Sequence, residues 1–281
     1  MELLSLILPI TPLELPSDRS EIPRWWGRAA HAFFLRLVGE QNPQLAQELH
    51  DDDAPRPFTV SSLMGSFERD GSLKAGERYW LRLTTLRQDV FQALSNASQP
   101  EGKLSAGSQI ELDYARFRVE AAEAQKGSPW QGITSYSELG APFLLASATP
   151  PRRIRLLFAS PTTFKSEGHH IPLPLPKLVF GSLLEKWNTF APVAFPVELK
   201  RYFEECMAVS RYDLKTQAVA LKQGGVRIGM TGWADFTTLN YDRYWMSLVA
   251  TLARYALFAG VGAAVTQGMG QCRMVEEQEH T

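Results

Sequence analysis

Apolar residues along this chain recur with the period of two that marks a half-buried strand, then with the 3.6-residue period of a helix, and back again. The order of those switches constrains the fold more than any other feature. SLILPI reads as a first strand. PRWWGRAAHAFFLRLVG reads as a helix with Pro23 in its first turn and Gly39 at its end. Asn42 and Pro43 supply a cap and a first-turn proline for a short second helix, NPQLAQELH. PFTVSSLMG and RYWLRLTTL are predicted strands, RQDVFQALSNA a helix and SQIELDYARFRVEAA one long strand. A second series opens with RRIRLLFASPTTF as a strand, followed by KLVFGSLLEKWN and PVELKRYFEEC as helices. QAVALK and GGVRIGMTGWADFTT are strands, YDRYWMSLVATLARYALFAG is a last helix and QCRMV a last strand.

The first series is strand, helix, strand, strand, helix, strand, and the second is a looser version of it. That order predicts an α+β chain of two tandem ferredoxin-like (RRM-like) βαββαβ domains, at residues 1–127 and 148–281. The Gly-, Ser- and Pro-containing stretch from Gly127 to Pro151 is the expected boundary, and a length of 281 residues accommodates two ordinary domains. The two halves share no sequence repeat, so the duplication rests on element order.

Composition removes several classes. No apolar run reaches the ~18–20 residues of a membrane span, and MELLSLILPITPLELP has no basic leader. The only cysteines are Cys206 and Cys272, without metal-ligand spacing, which predicts a reducing, cytoplasmic setting, no metal site and no membrane. A net charge of −1 requires any polyanion site to be a local patch.

Four glycines punctuate GVGAAVTQGMGQCRM near the carboxyl end: Gly260, Gly262, Gly268 and Gly270. Glycines so costly in chain entropy imply backbone that approaches something closely. A dinucleotide fingerprint needs strand, glycine turn, helix, and the order here is helix, glycines, strand. A Walker loop needs Lys-Ser/Thr after its last glycine, which is followed instead by Gln271. Two readings stay open: a helix C-cap at Gly260 leading into a glycine-rich hairpin, or a loop of N–H groups that cradles phosphates, helped by Arg273.

Among the histidines, His50 ends the second helix, where the macrodipole and Asp51, Asp52 and Asp53 favour an imidazolium. It is a proton shuttle or an ordinary cationic C-cap. His31 shares an arc of about 60° on the first helix with Arg24 and Arg28, as a solvated face or a basic ridge against a polyanion. His169 and His170 fall in the polar stretch SEGHHIPLP, and His280 is penultimate. In RRIR, Arg153 and Arg155 share one strand face, as a phosphate patch or a soluble edge strand. Lys215, Lys222 and Arg227 lie in or beside predicted strands, where they are candidates for a local polyanion patch. Trp233, Tyr241 and Trp245 are candidates for base stacking or packing.

G-V-G-x-x-x-x-x-G-M-G-Q, between the last helix and last strand, resembles the glycine-rich loop of the CRISPR-associated repeat-processing endoribonucleases, the Cas six family of RAMP proteins. FASPTTF followed by LPLPKLVFGSLLEKWN, GMTGWADF, and GRAAHAFFLRLV followed by NPQLAQELHDDDAPRPFTVSSL are similar to further stretches of that family. The loop departs from members that carry a basic residue there, having Ala263, Ala264 and Val265. The resemblance implies cleavage of CRISPR repeat RNA without metal or cofactor, by attack of a ribose 2′-hydroxyl, leaving a 2′,3′-cyclic phosphate and a 5′-hydroxyl. It implies His50 as the catalytic histidine of the amino-terminal domain, with Arg56 and Arg28 as its cations; His31, on the face of the first helix, is the competing base. It also implies partners: repeat RNA, as a hairpin or single strand, and other CRISPR effector subunits. The alternative within the same superfamily is a subunit that binds crRNA without cutting it.

Overall fold

The computed structural model describes residues 1–14, 25–51, 55–113, 115–120, 122, 127–145, 148–220 and 225–275. The chain divides into two compact units. Unit one is Met1–Ile133 together with Thr266–Gly268; unit two is Thr134–Val265 together with Met269–Thr281. The division falls inside the stretch expected to be a boundary, and three residues of the glycine loop belong with the amino-terminal unit.

Unit one runs β1 (Leu3–Pro12), α1 (Gly27–Gln41), α2 (Pro43–Asp51), β2 (Phe58–Val60), β3 (Tyr79–Thr85), α3 (Gln88–Ala97), β4 (Gln109–Leu112) and β5 (Ala115–Val119). The sheet order is β2-β3-β1-β5-β4, all antiparallel along that path. This is the ferredoxin-like arrangement. Leu4, Leu6, Leu8 and Ile10 of β1 alternate into a core closed by Ala30, Phe33, Phe34 and Leu37 of α1. Phe34 stacks on Phe58 with ring centroids 4.2 Å apart; a fully buried side chain of this size contributes about 1.5–3 kcal/mol. The Asn42 side chain accepts from the Leu45 amide at 3.1 Å, so α2 is capped as its sequence predicts. Pro23 lies outside the described residues.

One predicted element is corrected here. SQIELDYARFRVEAA is not one long strand but two, β4 and β5, paired antiparallel from Gln109↔Arg118 to Leu112↔Ala115. The chain reverses at Asp113, whose φ of 48° lies in the left-handed region that aspartate tolerates better than most residues. The alternation of apolar residues continues through the reversal, which is why periodicity alone reads straight on.

A short strand, β6 (Gly132–Thr134), leads into unit two, which contains α4 (Tyr136–Leu144), β7 (Arg153–Thr162), the hairpin β8 (Phe164–Ser166) and β9 (His169–Ile171), and α5 (Pro176–Phe190). Then come α6 (Leu199–Glu205), β10 (Met207–Ala220), β11 (Val226–Thr238), α7 (Arg243–Ala259) and β12 (Cys272–Val275). A 3₁₀ turn at Val265–Gln267 separates α7 from β12. The sheet order β10-β11-β7-β12 is again ferredoxin-like. Where the sequence predicts only a boundary, α4 forms behind a capping box: Ser135 Oγ accepts from the Glu138 amide, and Glu138 accepts from the Ser135 amide. That S-x-x-E signal outweighs the helix-weakening Gly140 and Pro142. Among the described residues no helix is long and apolar enough to cross a membrane.

Lys186 of α5 is buried, and its Nζ donates to the carbonyls of Ala259 at 2.9 Å and Gly260 at 3.1 Å. It thereby satisfies the open carbonyl end of α7. Burial lowers its pKa from an ordinary 10.5 to about 7. Between those two values the unfolded chain holds a proton that the folded chain has released, so stability rises with pH across that window. The neutral amine retains two N–H groups, one for each carbonyl. We therefore expect the melting temperature of the wild type to gain more between pH 7 and pH 9 than that of Lys186→Met, as read by calorimetry. Equal slopes would place the proton elsewhere.

Candidate active site

The glycines of the loop turn their close approach onto the protein's own backbone. A Cβ on Gly262 would run into the Thr163 carbonyl oxygen, and one on Gly270 into that of Val261. Gly268, at φ +91°, would place a Cβ 2.7 Å from the Ser62 amide nitrogen. The amides of three of the four are spent within the protein. Gly260 donates to Ala256 O at 3.0 Å, Gly262 to Ser182 Oγ at 3.2 Å and Gly270 to Pro161 O at 3.1 Å. Gly260 also caps α7 at φ +58°. Of the two sequence readings, this geometry is that of a helix cap and a self-packed turn; those three N–H groups do not line a phosphate cradle.

The segment Thr266–Gly268 is fastened inside unit one. Trp25 Nε1 donates to the Gln267 carbonyl at 2.8 Å, Ser61 and Gly268 form a parallel bridge, and His31 Nδ1 lies 2.9 Å from the Thr266 carbonyl oxygen. His31, half-buried on α1, also stacks on Phe58 of β2 at 5.6 Å between centroids. Burial, and then the charges of Arg56 and His50, hold its imidazole below the ordinary value, against the opposing pull of the Thr266 carbonyl. His31 therefore feels the charges of Arg56 and His50. His50 is exposed at the end of α2, and Arg56 Nη2 donates to the His50 carbonyl oxygen at 3.1 Å. Arg56 Nη1 is buried without a hydrogen-bond partner among the described residues, a donor that an anion would satisfy. Arg28 is exposed on α1 three residues before His31. Asp52, Asp53 and Arg24 lie outside the described residues.

The other basic candidates separate. The Arg155 guanidinium is committed to the buried carboxylate of Asp235 through Nε at 2.6 Å and Nη2 at 2.8 Å, and lies 3.9 Å over Trp233. That pairing holds the Asp235 carboxyl below the usual carboxylate range. Arg152 covers Tyr241 at 4.5 Å, and Trp245 stacks with Tyr202. Trp233, Tyr241 and Trp245 are each half-buried with a partner on the ring. Arg153 is exposed on β7, and Arg273 of β12 is half-buried, with Nη1 donating to Met274 O at 3.3 Å. Lys215 is exposed on β10 and Arg227 half-buried on β11, in a ribbon that pairs out to Ala220↔Val226 whereas β7 follows β11 only as far as Met230. The charges of Arg227 and Lys165 lower the pKa of His170 on β9, after burial, so a local cationic field reaches the β8–β9 hairpin. Lys222 lies outside the described residues.

Comparison with known proteins follows the same division. The family model for the CRISPR Cas6 N-terminal domain matches residues 4–140, and that for the CRISPR-associated endoribonuclease Cas6 matches residues 156–272. The chain belongs to the Cas6 family. A CRISPR-associated endoribonuclease Cas6 of Mycobacterium tuberculosis is 32% identical over 125 residues, a match spanning 44% of this chain and 39% of that protein. The chain thus covers well under half of the length of this relative. Solved Cas6 structures match throughout. A Cas6 product complex superposes with a TM-score of 0.77 at 26% identity, over 98% of this chain and 100% of that one. Thermus thermophilus Cas6 gives 0.71 at 26% identity, over 98% of each chain. The tandem ferredoxin-like architecture of the Cas6 family is the one described above.

Sequence reasoning missed two parts of the site, the Thr266 carbonyl that receives His31 and the Phe58 ring beneath it, and, in unit two, the Asp235 that takes Arg155. A backbone carbonyl leaves no trace in residue identity. Asp235 had a signal, since a lone acid in an apolar strand, GWADF, calls for a buried cation.

Proposed function

We propose that this chain is an endoribonuclease that cuts CRISPR repeat RNA without a metal ion, giving a 2′,3′-cyclic phosphate and a 5′-hydroxyl. The observation that carries the reading is the grouping of His50, Arg56 and His31 in unit one, with Arg56 holding a buried N–H that has no hydrogen-bond partner among the described residues. The solved relatives include a product complex and a substrate-mimic complex of Cas6, and this supports RNA as the ligand.

In this reading the ribose 2′-hydroxyl next to the scissile phosphate gives its proton to His50 as its oxygen bonds to phosphorus. The P–O5′ bond then breaks, the departing oxygen takes a proton from a solvent water, and the His50 imidazolium returns its proton to the hydroxide that this leaves. Arg56 Nη1, aided by Arg28, meets the charge that grows on the phosphate oxygens. In unit two, Lys215, Arg227 and Arg153 are cations available to RNA phosphates, and the setting is the cytoplasm. Docking with other CRISPR effector subunits is compatible with this site and is not required by it.

The test is incubation with repeat RNA in EDTA, beside an RNA carrying a 2′-deoxy substitution just upstream of the cut. The natural RNA should be cut once per repeat, while the deoxy RNA is bound with nearly the same affinity and left intact. Cleavage of the deoxy RNA overturns the mechanism. A mobility shift of natural RNA with no cleavage assigns the chain to the crRNA-binding subunits instead.

A further inference from the structure

His31 is held by a segment distant in sequence, and the bond that holds it fixes its chemistry. A carbonyl oxygen only accepts, so the 2.9 Å contact with Thr266 requires the proton on Nδ1. In the neutral imidazole the lone pair then resides on Nε2. Nε2 makes no hydrogen bond among the described residues and is not among the buried, unpartnered atoms. The carbonyl itself is not free to turn away. Its peptide neighbours are fixed by the Trp25 Nε1 bond to Gln267 O, by the Ser61–Gly268 bridge, and by Gly27, whose missing side chain leaves room for the Gln267 carbonyl. Stacking on Phe58 sets the plane of the ring.

We propose that the Thr266–Gly268 tip of the glycine loop is a clamp that fixes His31 as its Nδ1–H tautomer, so that Nε2 presents a lone pair to a ribose hydroxyl of RNA at the His50–Arg56 site. The role toward ribose rests on the ribonuclease reading above; the clamp does not. The family's glycine loop thereby acts on the chemistry through a backbone carbonyl. It orients a hydroxyl by acceptance, which a deoxyribose cannot answer. His50 remains the group that takes the proton.

Two measurements test this. Nitrogen-15 NMR of the histidine side chains in the RNA-free protein should show His31 as the Nδ1–H tautomer; an Nε2–H signal overturns the clamp whether or not the protein cuts RNA. His31→Asn keeps an amide N–H near the position of Nδ1, and so the tie to Thr266, but removes the acceptor. It should lower the single-turnover cleavage rate about tenfold, the worth of one hydrogen bond made in the transition state, with RNA affinity unchanged and the protein still folded by circular dichroism. A fully active His31→Asn overturns the ribose-facing role while the ribonuclease reading stands. A wild type that binds but never cuts overturns both.

Discussion

Replacing His50 by alanine is expected to slow single-turnover cleavage of repeat RNA by about 10² or more, the scale of a lost general acid–base group, while RNA affinity changes little. His50 is exposed at the end of α2, so its removal leaves no cavity and unit one should melt as before. The backbone carbonyl that Arg56 uses survives the substitution, so the guanidinium keeps its anchor. A factor of 10² corresponds to about 2.7 kcal/mol of transition-state stabilisation, and binding should register almost none of it. His31→Ala is expected to cost less in rate than His50→Ala. If the larger loss falls on His31, then the residue clamped by the loop is the proton acceptor and His50 is only a helix-end cation.

Gly27→Ala is expected to destabilise the protein by about 1–3 kcal/mol, the range for forcing volume into a closed site. The sign is the informative part, because alanine in place of a helical glycine ordinarily gains up to about 1 kcal/mol. Gly27 opens α1, and an added methyl would overlap the Gln267 carbonyl and sit 2.6 Å from Trp25 Nε1. Backbone on the far side must yield, and with it the carbonyl that receives His31. Gly181, in the middle of α5, has nothing within 4 Å of the place an added methyl would take. It serves as the internal control and should be stabilised by the same substitution. Denaturant unfolding of the two variants decides the matter. Gains at both positions would show that the tip of the loop is not seated against α1.

The contrast between those two glycines also marks what the sequence makes legible. The strand and helix order of both units follows from periodicity, and the Asn42 cap from residue type, because each is written in side chains within one short stretch. The β4–β5 hairpin was hidden, since Asp113 reverses the chain without interrupting the alternation of apolar residues. The helix α4 was hidden behind Gly140 and Pro142, although Ser135 and Glu138 announced it. The grouping of His50 and Arg56 was available by resemblance alone. The partner of His31 was not, because it is a main-chain oxygen from the other end of the chain. The glycines signalled a close approach, but composition cannot say whether glycine makes room for a ligand or for the protein itself.

The membership of Thr266–Gly268 in unit one has a consequence for biosynthesis. On the ribosome, the amino-terminal sheet and its helices emerge well before the residues that complete them. Until the last helix has been translated, Gly268 is missing from the end of β2 and the Thr266 carbonyl is missing from His31. A vectorially growing chain thus carries His31 and His50 long before it acquires the Thr266 carbonyl that lies 2.9 Å from His31 Nδ1.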